Sequence, residues 1–217
     1  QEFLAVKDVS LKIRPGEAWG LIGINGSGKS TLLKAISGIM KPYKGTITVR
    51  GSISPLIELG AGFDPNMTAR ENIYLNGAVL GHSKKFMAEH FDEIVEFAGI
   101  EKFLDSPIKN FSSGMKARLG FAVATVVKPD VLIVDEVLAV GDVRFRKKCM
   151  KRMEELLGGG TTLLFVSHNI EQVKSLCTHA LWLDHGDTVM EGPAEEVCNK
   201  YMEAMDAADA KETKSKK

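Results

Sequence analysis

Gly23-Ile24-Asn25-Gly26-Ser27-Gly28-Lys29-Ser30-Thr31 follows an apolar run ending at Leu21-Ile22 and opens a helical-looking segment from Thr31 to Gly38. Strand, glycine-rich loop and helix in that order read as a phosphate-binding loop. Glycines at these spacings let backbone N–H groups turn inward around phosphate oxygens, through dihedrals and close approaches that a side chain would block. The helix that follows points its N-terminus at the anion, and Lys29 adds a full positive charge expected on the β- and γ-phosphates. Ser30 offers a hydroxyl to Mg2+, a hard ion that prefers oxygen ligands. The competing reading, a glycine-rich turn with a chance lysine, has to explain six constrained positions in one setting.

Composition sets the frame around this loop. A chain of 217 residues with 44% hydrophobic content buries a full core as one domain, or a domain with a subdomain. Lys+Arg and Asp+Glu both number 28, which excludes a global basic field of the kind that marks nucleic-acid binding. Cys149, Cys177 and Cys198 are odd in number and form no CxxC pair, so neither a disulfide framework nor a zinc site is expected. Buried thiols in a reducing cytoplasm fit that usage. Phe121–Val127 and Val131–Val134 are apolar but are broken by Lys128-Pro129-Asp130, so any membrane role is by association. The start at Gln1-Glu2-Phe3 has neither the basic region nor the apolar core of a secretory signal, and without Met it reads as an excised fragment with residues missing upstream.

Along the chain, Phe3–Val6 and Val9–Ile13 alternate at period two, and Arg14-Pro15-Gly16-Glu17 is turn chemistry before a strand at Ala18–Ile22. Thr46–Val49 and Ser52–Leu59 read as two more short strands around Arg50-Gly51, expected to cover the nucleotide side as a small antiparallel sheet. Met67–Leu80 reads as a helix with Thr68 as N-cap and Glu71 three residues on. Met87, Phe91, Ile94, Val95 and Ala98 form one helical stripe that Gly99 stops. A helix is expected over Ala117–Val127, a buried strand over Val131–Val134, a helix over Arg144–Leu157 and a strand over Thr162–Val166. Ile170–Cys177 reads as helix, Ala180–Leu183 with Thr188–Met190 as a hairpin, and Glu195–Met205 as the closing helix. The expected domains are a core over residues 1–64 and 129–205, an inserted helical subdomain over 65–128, and a solvated, disordered tail over 206–217.

Further residues carry chemistry. Asp135 and Glu136 stand at the end of an apolar strand, where the ligand crevice of a parallel α/β sheet lies. The first carboxylate can hold a Mg2+ hydration shell, and the second can polarise an attacking water. Two solvated loop acids are the plainer alternative, which the apolar strand before them disfavours. Ser112-Ser113-Gly114 before a helix makes a second small-residue turn able to face an anion, although alone it is ordinary capping. His168 directly follows an apolar strand; His82, His90, His179 and His185 lack such context and read as surface or packing residues.

This ordered set resembles the ATP-binding subunit of ABC transporters over nearly the whole chain. Gly23, Asn25, Gly26, Ser27, Gly28, Lys29, Ser30 and Thr31 look like Walker A, and Val131–Glu136 like Walker B with its catalytic glutamate. Ser112, Ser113 and Gly114 look like the signature motif, Gly141-Asp142 like the D-loop, and His168 like the switch histidine. Glu58-Leu59-Gly60-Ala61-Gly62-Phe63, Thr68-Ala69-Arg70-Glu71-Asn72-Ile73, Ser112–Leu119 and Val137–Asp142 make it most similar to exporters of cell-surface polysaccharides of the O-antigen, capsule and teichoic acid type. The resemblance implies an α/β fold, a P-loop NTPase (RecA-like) core with a small antiparallel β-subdomain and an inserted helical subdomain. It further implies ATP and Mg2+, a head-to-tail homodimer with ATP between one protomer's Walker motifs and the other's signature turn, and a polytopic permease partner. The place of work would be the cytoplasmic face of the plasma membrane.

Three departures accompany the match. Ser113-Gly114-Met115 stands where the usual signature has Gly-Gly-Gln, the connector glutamine is absent with Glu58 or Leu59 nearest its place, and the adenine-stacking aromatic is expected upstream of Phe3. Some relatives carry a C-terminal carbohydrate-binding domain, for which no room is expected after Met205. A soluble ABC-type ATPase acting on nucleic acid or ribosomes is the alternative; coiled-coil insertions or duplicated cassettes would mark it, and the sequence contains neither. A nucleotide-binding regulator is a third reading, against which Glu136 and His168 count.

Overall fold

The computed structural model describes residues 4–56, 59–60, 62–135 and 142–215. In chain order the elements are β1 (Ala18–Ile22), α1 (Lys29–Ile36), β2 (Ile53–Leu56), α2 (Ala69–Val79), α3 (Lys84–Glu89), α4 (Phe91–Ala98), α5 (Ser113–Thr125), β3 (Val131–Asp135), α6 (Val143–Gly158), β4 (Thr162–Val166), α7 (Ile170–Leu176), β5 (His179–Asp184), β6 (Asp187–Pro193) and α8 (Ala194–Ser215). Strands that pair in parallel and alternate with helices make this an α/β protein. Two compact units divide the chain: Gln1–Arg50 with Thr162–Lys217, and Gly51–Thr161. No helix among the described residues is long and apolar enough to cross a membrane.

In the first unit β1 lies between β4 and β5, parallel to both, and all five of its residues are buried. A strand covered on both faces has no reason to alternate, which is why Ala18–Ile22 reads as a continuous apolar run. β6 returns antiparallel through His185-Gly186, whose φ angles of 45° and 86° suit a tight hairpin turn. Trp182 meets Tyr201 edge-on at 5.4 Å, fixing α8 against the sheet.

In the second unit β2 runs parallel to β3, with Ile53 opposite Val131. The Asp130 carboxylate accepts from Ser52 N–H at 2.7 Å and from Ser52 Oγ at 2.8 Å, so this register starts from a side-chain clasp. From Ala69 to Thr125 every regular element is helical. Thr68 and Glu71 form a reciprocal capping box at α2, as the sequence leads one to expect. Phe97 of α4 stacks on Phe121 of α5 at 5.7 Å and meets Phe145 of α6 edge-on at 5.7 Å, joining three helices in one aromatic cluster.

Five stretches differ from the sequence reading. Phe3 lies outside the described residues, and residues 4–13 contain no strand; Asp8 at φ 44° interrupts the extended run, and Lys7 N–H bonds to the β5–β6 turn, at Gly186 O. Thr46–Val49 is also not a strand, and among the described residues of Ser52–Leu59 the strand is Ile53–Leu56, paired in parallel instead of antiparallel. Alternation reports a face and carries no information about the partner, which here is β3, far along the chain. The Met87–Ala98 stripe is two helices, broken at His90 with φ −105° and ψ 6°. Residues 206–215 continue α8, since Ala, Lys and Glu favour helix.

Cys149, Cys177 and Cys198 are all buried and free. Burial pushes the Cys149 and Cys177 thiols up to about 12, and that of Cys198 up as well. Thiolate is the reactive form. A thiol reagent at pH 8 is therefore expected to leave the native protein unmodified over minutes while titrating all three thiols in denaturant; rapid reaction of any one in the native state would contradict this burial.

Candidate functional site

The first unit holds the phosphate loop. β1 ends at Ile22, Gly23 and Gly28 take φ 148° and 104°, and α1 begins at Lys29. At Gly23 a Cβ would strike the carbonyl of Leu183 and stand 2.7 Å from Ser27 Oγ, and at Gly28 it would strike the carbonyl of Ala5, so the loop admits only glycine there. At Gly26, by contrast, nothing lies within 4 Å of that position. Lys29 is 6% exposed, and its ammonium donates to Gly23 O and Ile24 O, each at 2.8 Å. α1 has no side-chain cap and no acidic residue in its first turn, leaving its N–H groups and dipole for an anion. Ser30 is exposed in that first turn.

Two supports were not evident from the motif. Gly186 N–H donates to Ser27 O at 3.0 Å, so the β5–β6 turn props the loop from beneath. Lys7 pairs with Asp187 at 3.1 Å on the flank of the same turn. The signal available in sequence was the His185-Gly186-Asp187 turn, whose contact with the loop only the sheet order reveals.

His168 reaches the same edge. Leu21 stands opposite Val166 in the parallel β1–β4 pair, so Gly23 and His168, each two residues on, leave the sheet together. Ser167 Oγ donates to Gln172 Oε1 at 3.1 Å and accepts from Asn169 N–H at 3.1 Å, while Asn169 caps α7. This turn holds the exposed His168 on a fixed backbone.

In the second unit, buried Leu132, Ile133 and Val134 carry the half-buried Asp135 to the end of β3. Glu136 and Gly141 lie outside the described residues, as does Glu58 of the connector. Ser112 caps α5, its Oγ accepting from Met115 N–H at 3.2 Å, and Ser113 and Gly114 make an exposed-to-half-exposed first turn. Asp142 caps α6 through Phe145 N–H at 2.9 Å. That bond, then the Arg144 N–H and the charges of Arg118 and Arg144, hold its carboxyl below the usual range. Arg118 of α5 lies with its guanidinium carbon 5.8 Å from the Phe145 ring, and its Nε is buried with no hydrogen-bond partner.

An uncapped helix end and a buried ammonium at one strand edge suit a chain of phosphates. Ser30 in the first unit and Asp135 in the second each carry an oxygen of the kind a hard cation takes. No group of three His, Cys, Asp or Glu side chains able to hold a metal alone occurs among the described residues.

Residues 6–139 match the ABC transporter family. The chain is 45% identical over 205 residues to the O-antigen export system ATP-binding protein RfbB of Klebsiella pneumoniae, spanning 94% of this chain and 83% of that protein. It is 44% identical over 199 residues to the teichoic acids export ATP-binding protein TagH of Bacillus anthracis, spanning 92% of this chain but 36% of that longer protein. The fold is shared with the dimeric post-hydrolysis state of the ATP-binding cassette MJ0796 bound to ADP and Pi, at TM-score 0.75 and 24% identity over 88% of this chain and 91% of that one. An ATP binding subunit of an ABC transporter superposes at TM-score 0.81 and 24% identity, over 91% of this chain and 87% of the other.

Proposed function

The chain belongs to the ABC transporter family, and from that premise we propose that it is the ATP-hydrolysing subunit of an exporter that carries a cell-surface polysaccharide, of the O-antigen, teichoic acid or capsule type, across the cytoplasmic membrane. The names of its relatives support the polysaccharide. The observation that carries the ATPase reading is the phosphate loop, with Lys29 buried against it, α1 uncapped, and His168 at the same strand edge.

In this reading the backbone of Gly23, Asn25, Gly26, Ser27 and Gly28 wraps the phosphates, and Lys29 with Ser30 and Thr31 closes the helix end on them. Ser30 and Asp135 would hold Mg2+, which when bound offsets phosphate charge. Glu136 takes a proton from the attacking water, and His168 donates to the γ-phosphate. Ser112, Ser113 and Gly114 face the nucleotide held by the other protomer of a homodimer, with Gly141 and Asp142 at the same interface. Residues 65–128 act as the helical subdomain that presents the signature turn, and residues 1–64 and 129–205 as the ATP-binding core. The dimer works peripherally on the cytoplasmic face, against a polytopic permease whose movement its nucleotide cycle drives.

Complementation in trans tests this arrangement. Ser112→Arg should block closure by bulk while leaving nucleotide binding to the monomer within about twofold. Mixed with Lys29→Ala protomers, it should regain one intact composite site, built from its own Walker residues and the other protomer's signature turn. ATP-dependent dimerisation, followed by sedimentation, and ATPase rate with the permease present are the readouts. If Ser112→Arg homodimers form with ATP as readily as wild type, the turn is an ordinary helix cap.

A further inference from the structure

The chain carries equal numbers of cations and acids, 28 of each, yet between Glu17 and Glu58 no acidic residue occurs, while Lys29, Lys34, Lys41, Lys44 and Arg50 all fall in that interval. Lys29 belongs to the phosphate loop; the other four have no part in the function proposed above. In the stretch after α1 this charge meets exposed apolar surface. Gly38 ends the helix at φ 77°, and Met40 N–H reaches back to Lys34 O at 3.0 Å. Residues 38–48 are all exposed, among them Ile39 at 62%, Met40 at 46%, Tyr43 at 81% and Ile47 at 39%. Single apolar side chains are ordinary on a protein surface, but four between Ile39 and Ile47 are not scattered.

The form of the segment separates the occupants it could take. Residues 41–50 form neither helix nor strand, and among the described residues they make no backbone–backbone hydrogen bond. A groove for a partner helix is concave and built on fixed elements; an exposed irregular loop is neither. Lys44 holds its ammonium 5.9 Å from the centre of the Tyr43 ring, and among the described residues no ion pair engages Lys34, Lys41, Lys44 or Arg50. At a bilayer surface tyrosine sets its ring at the acyl boundary with the hydroxyl in water, and lysine lays its methylenes on apolar surface while its ammonium reaches phosphate. Unpaired backbone keeps such a contact at headgroup depth, since hydrocarbon satisfies no N–H or C=O group.

We infer that residues 38–50 dock the chain on an anionic phospholipid surface, with Ile39, Met40 and Tyr43 entering the interface and Lys41, Lys44 and Arg50 on headgroup phosphates. The negative potential of a cytoplasmic leaflet complements a loop that carries cations and no acid. α6 is also basic, but Lys148 and Arg152 lie over the Phe97 ring, Lys151 pairs with Glu155, and Val143 is its one exposed large apolar side chain. It has charge without an apolar anchor, which makes it a control. This surface role rests on the peripheral placement proposed above and gives it a lipid contact.

Co-sedimentation of the whole chain with vesicles of equal parts phosphatidylglycerol and phosphatidylcholine, beside vesicles of phosphatidylcholine alone, reads this contact. Wild type is expected on the mixed vesicles and is expected to leave them as salt rises, because screening shortens the reach of the cations. Lys41→Ala with Lys44→Ala is expected to lower partitioning about thirtyfold, at roughly fivefold for each cation near an anionic surface, and Tyr43→Ser about fivefold. Arg146→Ala with Lys147→Ala removes the same charge from α6 and is expected to stay within about twofold of wild type. All five substituted residues are exposed, so the fold should hold. Equal binding to both kinds of vesicle overturns the inference, and so does an equal loss in the α6 variant, which would mean attraction by general charge. Wild type that binds neither vesicle overturns the lipid contact. Recruitment of that wild type by membranes carrying the permease then leaves the peripheral placement standing, and its loss in the Lys41 and Lys44 variant gives the loop to the permease; no recruitment at all removes the placement itself.

Discussion

Glu136→Gln is expected to lower steady-state ATP turnover by about 10²–10⁴-fold, the range spanned by positioned general bases, with ATP affinity within about twofold of wild type. The carboxamide keeps the shape and polarity of the side chain but cannot take a proton from water. β3 explains why the effect should be confined to chemistry. Its three central residues are fully buried and set the strand end rigidly, so a change of one heavy atom beyond Asp135 should not disturb the fold. ATP-bound dimer should accumulate, because closure precedes the blocked step. Phosphate release measured against time gives the turnover, and sedimentation with ATP gives the dimer. Turnover within about twofold of wild type would remove Glu136 from the role of base.

Lys29→Ala acts earlier. A charge-assisted hydrogen bond contributes about 1.5–3 kcal/mol, so its loss should weaken Mg-ATP binding by roughly 10–150-fold. In the protein itself the ammonium donates to Gly23 O and Ile24 O from a buried position, so alanine also leaves those carbonyls with fewer donors. Two effects are thus expected together: a lower melting temperature without nucleotide, and a much smaller rise on adding it. Calorimetry showing unchanged Mg-ATP affinity would mean that the loop does not hold phosphate.

How much of this was legible in the chain depends on whether the signal is local. The run Ala18–Ile22, the loop after it and the helix that follows are local chemistry, and they fold as read. So do the Thr68–Glu71 capping box and the glycine stop at Gly99, whose φ is 65°. β2 was half legible: its apolar character marks a strand, but its partner Val131–Val134 is remote, and nothing in Ile53–Leu56 states whether the pairing is parallel. Alternation at Val9–Ile13 and Thr46–Val49 misled, because period two also describes an extended segment that pairs with nothing. The break at His90 went unseen because the apolar stripe continues in phase through it. At the site, the candidate motif residues stand out by order and spacing, whereas the supports do not. Gly186 beneath Ser27 is a contact of backbone with backbone, and it leaves no mark in the sequence except a glycine.

The buried thiols turn the chain into a ready host for site-directed labels. With all three native cysteines shielded and the Cys149 and Cys177 thiols pushed up to about 12, a single exposed cysteine introduced by Lys44→Cys or Lys102→Cys would be the one thiolate a maleimide dye meets at neutral pH. Donor and acceptor dyes on that pair would place one fluorophore on each compact unit with the native cysteines left in place.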